Sequence, residues 1–315
     1  MPEPAPSKLR NEPIGWVLVA FAAMLWGSDV LLRPKALASG MSSVSVVMFE
    51  HLALTVLFAP ILFRTRAEWL KLDRKQIIGL IIISWGGSGL ATVLLTQAYS
   101  MGDPVTAALL QKLQPLFAIS LAGPILRERL KGIFFACLFS AMIGAYLMSF
   151  GLTWLSDPVS RNAVVPAALA IGAAAAWGAC TVVGRWSLAS IDPYTVAGLR
   201  FVIALPLLVV WNLALPGGFA TKFTMTSAAF LPLLAIVLIP DALGMALYYV
   251  GLRRTTASLA TLAELAYPAT AVLLAYPLAR AFTPWKWFGV ILLILSLYVV
   301  RLGNLVRDPV TPDLA

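Results

Sequence analysis

The constraint that decides what this chain can fold into is the recurrence of apolar runs long enough to cross a bilayer. A membrane-spanning helix needs about 20 mostly apolar residues. Ten such runs lie near 14–32, 43–63, 76–98, 104–125, 132–152, 164–184, 193–213, 230–251, 257–278 and 285–303. Of the 315 residues, 60% are hydrophobic and 12% charged. No single core could take in that much apolar surface, so lipid must be the solvent for much of the chain.

Without water, each spanning backbone must satisfy its own hydrogen bonds, by forming helices or a closed barrel. Barrel strands need alternation with period two, which IIGLIIIS (77–84) lacks. The expected class is therefore an all-α polytopic membrane protein with ten transmembrane helices. Its formal net charge is +9, but the charges fall in loops rather than on one surface. With a cytoplasmic N-terminus, fifteen Lys and Arg lie inside, including Arg64, Lys71, Arg127 and Arg253, against six outside. That is the positive-inside bias. It predicts a multi-pass protein of the cell (inner) membrane with both termini cytoplasmic, and no nucleic-acid partner. The basic start, apolar run and Ala36-Leu37-Ala38 imitate a signal peptide. Asp29, Arg33 and Lys35 interrupt that pattern, so it is read as the first span. Cys137 and Cys180 fall inside spans, show no metal-ligand spacing and are read as small packing residues.

The chain repeats itself. Trp26-Gly27 returns as Trp177-Gly178 at an offset of 151. At an offset of 153, ALLQKLQP (108–115) lies over TLAELAYP (261–268), and Ser88 lies over Asp241. The two repeats run over 14–152 and 164–303, with five apolar runs each. An odd number of spans forces the second copy to sit upside down relative to the first. Inverted repeats of this kind place a substrate site near the midplane, where the halves meet.

The segments AMLWG (23–27) and AAAWG (174–178), LQPLFA (113–118) and AYPATA (266–271), and PILRERL (124–130) resemble the drug/metabolite transporter superfamily, in its ten-helix EamA-type members. The resemblance covers residues 14–303. It implies transport without implying a cargo. Glu128 matches the family's glutamate after the fourth helix, and its counterpart in the second half is Ala281.

Glu50, Lys112, Arg200, Asp241 and Glu264 are charged near mid-span. One central charge costs roughly 2.5–3.5 kcal/mol, so five facing lipid would cost on the order of 12–17 kcal/mol. They must face each other or a wet cavity. Glu50 and Arg200, at matching places in the repeat once one residue is skipped, are open to two readings, a structural ion pair or a substrate site. Asp29, Arg33 and Lys35, nearer a helix end, are expected at the interface with water. Asp241 and Glu264 are the proton-coupling candidates. Trp26, Glu50, Gln97, Gln111, Lys112, Gln114, Trp177, Arg200, Tyr248 and Tyr267 are the expected substrate-binding residues, with packing the competing role for Trp26 and Trp177. Pro115, Pro240 and Pro268 fall mid-span, where each can kink its helix.

Two other classes compete. GGSG (86–89) fits a short intramembrane-protease pattern, with Ser88 as nucleophile and His51 as its base. Glycine is common in membrane helices, so the motif has little specificity. A sensor would need an output domain, and residues 1–13 and 304–315 are short. No glycine-rich phosphate loop with a lysine is present, so ATP-driven transport is not expected. The expectation is a secondary transporter by alternating access, an exporter of small polar metabolites such as amino acids, with proton coupling through Asp241 and Glu264. Transport of anionic metabolites is the alternative cargo. No cofactor or metal is expected, and the partners are a small-molecule substrate and the bilayer, with the protein a monomer or homodimer. Replacing Lys112 by Leu should leave the protein folded but abolish transport. Flux at the wild-type rate would remove Lys112 from the site.

Overall fold

In the computed structural model, the structure describes residues 14–102, 107–108, 110–150, 164–215, 227–267, 284–303 and 305–307. Pro268 and Ala281 lie outside them. The described residues are overwhelmingly helical: α1 (Ile14–Leu37), α2 (Ser43–Arg64), α3 (Arg74–Met101), α4 (Gln114–Leu126), α5 (Gly132–Phe150), α6 (Val164–Ser187), α7 (Pro193–Ala214), α8 (Ala229–Arg253), α9 (Ala257–Ala263) and α10 (Pro284–Leu302). Six of these, α1 to α3 and α6 to α8, are long and apolar enough to cross a membrane. Shorter apolar stretches occupy Gly132–Leu147, Ala257–Ala266 and Trp287–Val300. Large side chains such as Val56, Phe63, Phe139, Val210 and Leu231 face outward. On a chain with this composition, that belt faces lipid.

Polar side chains set where several helices begin. The Ser42 hydroxyl accepts from the Ser45 amide ahead of α2, and the Asp192 carboxylate accepts from the Tyr194 and Thr195 amides ahead of α7. Asp73 and Gln76 form a reciprocal capping box at the start of α3. The helices are also interrupted, at matching places in the two repeats. Wide π-helical turns occupy Ile82–Ala91 in α3 and Val237–Gly244 in α8. Tight 3-10 turns occupy Gln111–Leu113, just before α4, and Glu264–Ala266, just after α9. Pro240 sits inside the second π turn, and Pro115 follows the first 3-10 turn. Prolines tend to sit where a helix already departs from α geometry.

The packing exchanges the halves. Helix α1 lies against α8, and α6 lies against α3; α2 pairs with α7, α5 with α10, and α4 with α9. Three of these equivalent pairs run antiparallel. Asn212, near the end of α7, donates from Nδ2 to the Ser45 hydroxyl at the start of α2, at 2.8 Å. Lys131, before α5, donates to the Gly303 carbonyl beyond α10, at 3.0 Å. There the short strands Arg129–Leu130 and Val306–Arg307 also pair antiparallel. Close approach requires glycine at two of these contacts: a Cβ on Gly144 of α5 would meet the Gly289 carbonyl at 2.7 Å, and one on Gly251 of α8 would meet the Gly15 carbonyl at 2.7 Å.

Glu128 closes the α4–α9 contact. Its carboxylate accepts from the Ala257 amide at 2.7 Å, the Ser258 amide at 3.0 Å and the Ser258 hydroxyl at 2.5 Å. These are the first free amides of α9, so a negative charge meets the positive end of the helix dipole. The residue matching the family glutamate thus ties the end of one helix to the start of another. Glu128→Ala should lower stability by about 2–4 kcal/mol, since it strands two buried amides. A drop in the detergent-solubilised thermal midpoint would report it, and an unchanged midpoint would deny the tie.

Candidate functional site

Between the halves lies a cavity with about 790 Å³ of atom-free space, part of it open to solvent. Both repeats contribute to its wall: Trp26, Asp29 and Arg33 from α1, Thr92 and Leu95 from α3, Gln111 and Gln114 before and in α4, Trp177, Cys180 and Thr181 from α6, Arg200 from α7, Pro240, Asp241, Met245, Tyr248 and Tyr249 from α8, and Glu264 and Tyr267 after α9.

The local breaks in the helices supply the polar geometry. In the 3-10 turn, residues three apart stack along one face, which brings Gln111 and Gln114 to the same wall. Gln114 donates from Nε2 to Glu264 Oε2 at 2.5 Å and to the Thr181 hydroxyl at 3.4 Å. Thr181 and Tyr248 share a hydrogen bond of 3.0 Å, which continues the chain from α4 through α6 to α8. The Trp26 and Tyr248 rings lie 5.0 Å apart at 53°. Trp26 fits where Gly244 of α8 has no side chain, and Trp177 donates from Nε1 to the Gly87 carbonyl of α3 at 2.9 Å. Each half thus wedges its Trp-Gly tryptophan against the π turn of the other half.

Arginines organise the other side. Arg33 is 2% exposed. Its Nε donates to Asp29 Oδ2 at 2.7 Å, and its Nη1 donates to Glu50 Oε1 at 2.8 Å and to the Thr96 hydroxyl at 3.1 Å. The expected interfacial placement of this arginine is therefore wrong. Helix α1 continues through Leu37, beyond the run ending near 32, and carries Asp29 and Arg33 into the interior, whereas Lys35 is exposed. The reason is electrostatic: a guanidinium with two carboxylates on it no longer has to reach water. Glu50 and Arg200 do not pair. Glu50 is taken by Arg33, and Arg200 donates to the Ser88 hydroxyl at 2.6 Å, the Tyr249 hydroxyl at 3.1 Å and the Met245 sulfur at 3.2 Å.

Of the residues expected to bind substrate, Trp26, Gln111, Gln114, Trp177, Arg200, Tyr248 and Tyr267 line the cavity, as do Asp241 and Glu264. Glu50 lies behind the wall, 1% exposed, where it holds Arg33. Gln97 is half-buried on α3 outside the lining. Lys112 is buried just behind the wall, its Nζ 3.4 Å from the centroid of the Tyr267 ring. Asp29, Arg33 and Thr181 were missing from the expected set, and Tyr249, which the sequence offers as a neutral donor and acceptor beside Tyr248, also lines the cavity. The (i, i+4) spacing of Asp29 and Arg33 was a usable signal, because it offers an internal partner that an interfacial residue does not need.

The protease geometry is not built. His51 donates from Nδ1 to the Val47 carbonyl at 2.7 Å and packs edge-on against Phe201, 5.5 Å between centroids. Among the described residues, no hydrogen bond joins it to Ser88, whose hydroxyl accepts from Arg200.

The EamA-like transporter family model matches twice, over residues 13–150 and 165–302. The chain belongs to this family. It is accordingly a multi-pass membrane transporter, not an enzyme. A curated relative, the riboflavin transporter ImpX of Fusobacterium nucleatum subsp. nucleatum, is 30% identical over 304 residues, covering 94% of this chain and 100% of the relative. A crystal structure superposes with a TM-score of 0.71, covering 91% of this chain and 96% of its own. At 17% identity that likeness speaks to fold alone. In this family member, Ser88→Ala should keep measurable transport while costing about 1–3 kcal/mol of stability, because it strands the Arg200 Nε–H. Complete loss of flux in a folded variant would instead give the hydroxyl a direct part.

Proposed function

We propose that the chain is a secondary transporter with ten transmembrane helices in two inverted five-helix repeats, 14–152 and 164–303, which carries a small polar metabolite by alternating access. The observation that carries the reading is the cavity between the halves, walled by residues from both. The exchange-symmetric, antiparallel packing supports the inversion. Paired breaks at the π and 3-10 turns are places where one half can rock against the other.

The cargo is a flavin of the riboflavin class. Trp26, Trp177, Tyr248 and Tyr267 offer flat faces for a ring system, and the relative named for riboflavin spans nearly the whole chain. The amino-acid reading keeps one observation in its favour: Arg200 faces the cavity and, among the described residues, hydrogen-bonds only neutral groups, so it could meet a carboxylate. Asp241 and Glu264 are the proposed proton carriers, placed in the wall where cargo and proton compete for the same oxygens. The protein sits in the inner membrane with both termini cytoplasmic, as a monomer or homodimer, and has no nucleic-acid partner.

Proteoliposomes loaded with riboflavin or with an amino-acid panel, with and without a proton gradient, test the reading. Riboflavin flux driven by the gradient is expected, and Asp241→Asn with Glu264→Gln should uncouple it. Flux of amino acids but not of riboflavin would replace the cargo. Flux indifferent to the gradient, in wild type and variants alike, would remove the coupling role.

A further inference from the structure

Five buried side-chain atoms on the cavity wall have no hydrogen-bond partner among the described residues: Oδ1 of Asp29, Oε1 of Gln111, Oδ2 of Asp241, Oε1 of Glu264 and Nε1 of Trp26. Four are acceptor oxygens and one is a donor. A buried polar atom left unmet costs about 1–3 kcal/mol. An occupant of this cavity therefore gains most by bringing donors, several of them.

The four oxygens come from four different elements of the fold. Asp29 belongs to α1, Gln111 to the turn before α4, Asp241 to α8 and Glu264 to the turn after α9. Four unmet acceptors in one cavity call for several donors on the occupant, which successive hydroxyls along a chain provide.

Two of the four form a pair by descent. Gln111 and Glu264 stand at equivalent positions of the repeat, each opening a 3-10 turn, and they are only 8% and 7% exposed. Gln114 reaches one oxygen of Glu264, Oε2, and leaves the other unmet. The two halves thus present one acceptor each into the same space.

We infer that the cavity grips its cargo through a polyhydroxylated chain, with Gln111 and Glu264 as the paired acceptors for it and the aromatic wall receiving the rest of the molecule. This deepens the flavin reading and rests on it for the nature of the ring. It makes the hydroxylated chain, rather than the ring, the part from which affinity comes.

The test uses the full chain in nanodiscs, titrated with riboflavin and with lumiflavin, which has the same ring system and a methyl in place of the ribityl chain. Riboflavin should bind at least about tenfold more tightly than lumiflavin. Gln111→Leu should weaken riboflavin by about tenfold while leaving lumiflavin unchanged, which also shows that the variant is folded. If lumiflavin binds as tightly as riboflavin, or if Gln111→Leu weakens both equally, the inference is overturned while the flavin cargo stands. If neither flavin binds, the flavin reading fails. Ribitol and adenosine are then the next probes: binding of either, lost in Gln111→Leu, upholds the hydroxyl grip, and binding of neither overturns it.

Discussion

Arg33 holds together what would otherwise be the least affordable part of the molecule. A guanidinium, two carboxylates and a threonine hydroxyl converge in the interior of a chain whose outer surface faces lipid. Removing either carboxylate would leave a buried charge short of a partner, and such losses cost several kcal/mol. The cluster joins α1, α2 and α3, and Asp29 and Arg33 themselves form part of the cavity wall. Arg33 can therefore stand in the cavity wall because Glu50 neutralises it from behind. Glu50, sealed off from the cavity, contributes from that position.

The second organising feature is the exchange of halves. Each tryptophan of the Trp-Gly pair is wedged against the π turn of the opposite repeat, and equivalent helices run past each other antiparallel. The repeats also differ at equivalent positions in and around the cavity. Ser88 and Asp241 occupy one equivalent pair of positions, Gln111 and Glu264 another, and Lys112 has Leu265 as its counterpart. A symmetric frame thus encloses an asymmetric cavity, which suits a cargo with two unlike ends. Glu128 shows the same division of labour: it caps α9 and lies outside the cavity, so its part is in the frame.

Much of the candidate site was legible from cost alone. A charge or amide in an apolar run has to be placed somewhere tolerable, and Gln111, Gln114, Arg200, Asp241 and Glu264 were identified by that reasoning and do face the cavity. The same reasoning misjudged Arg33, because its place in the sequence, near the expected end of a span, allowed an exit to water that the folded chain does not use. It also offered an ion pair between Glu50 and Arg200 as one of two readings from their repeat positions, whereas contact depends on helix rotation and on which helix arrives alongside. Thr181 carried no signal, since a threonine in a membrane helix is inexpensive wherever it faces.

By itself the sequence determined the solvent, the class of fold, the duplication and the family, because these depend on run length, composition and order, which are properties of the chain read along its length. Tertiary structure alone decided which buried charges are partners, which polar atoms are left unmet, and which residues face the cavity or stand just behind it. Those depend on distances of a few ångströms between helices far apart in sequence. A hydrogen bond or ion pair falls away over such distances, and no periodicity in a single helix encodes them.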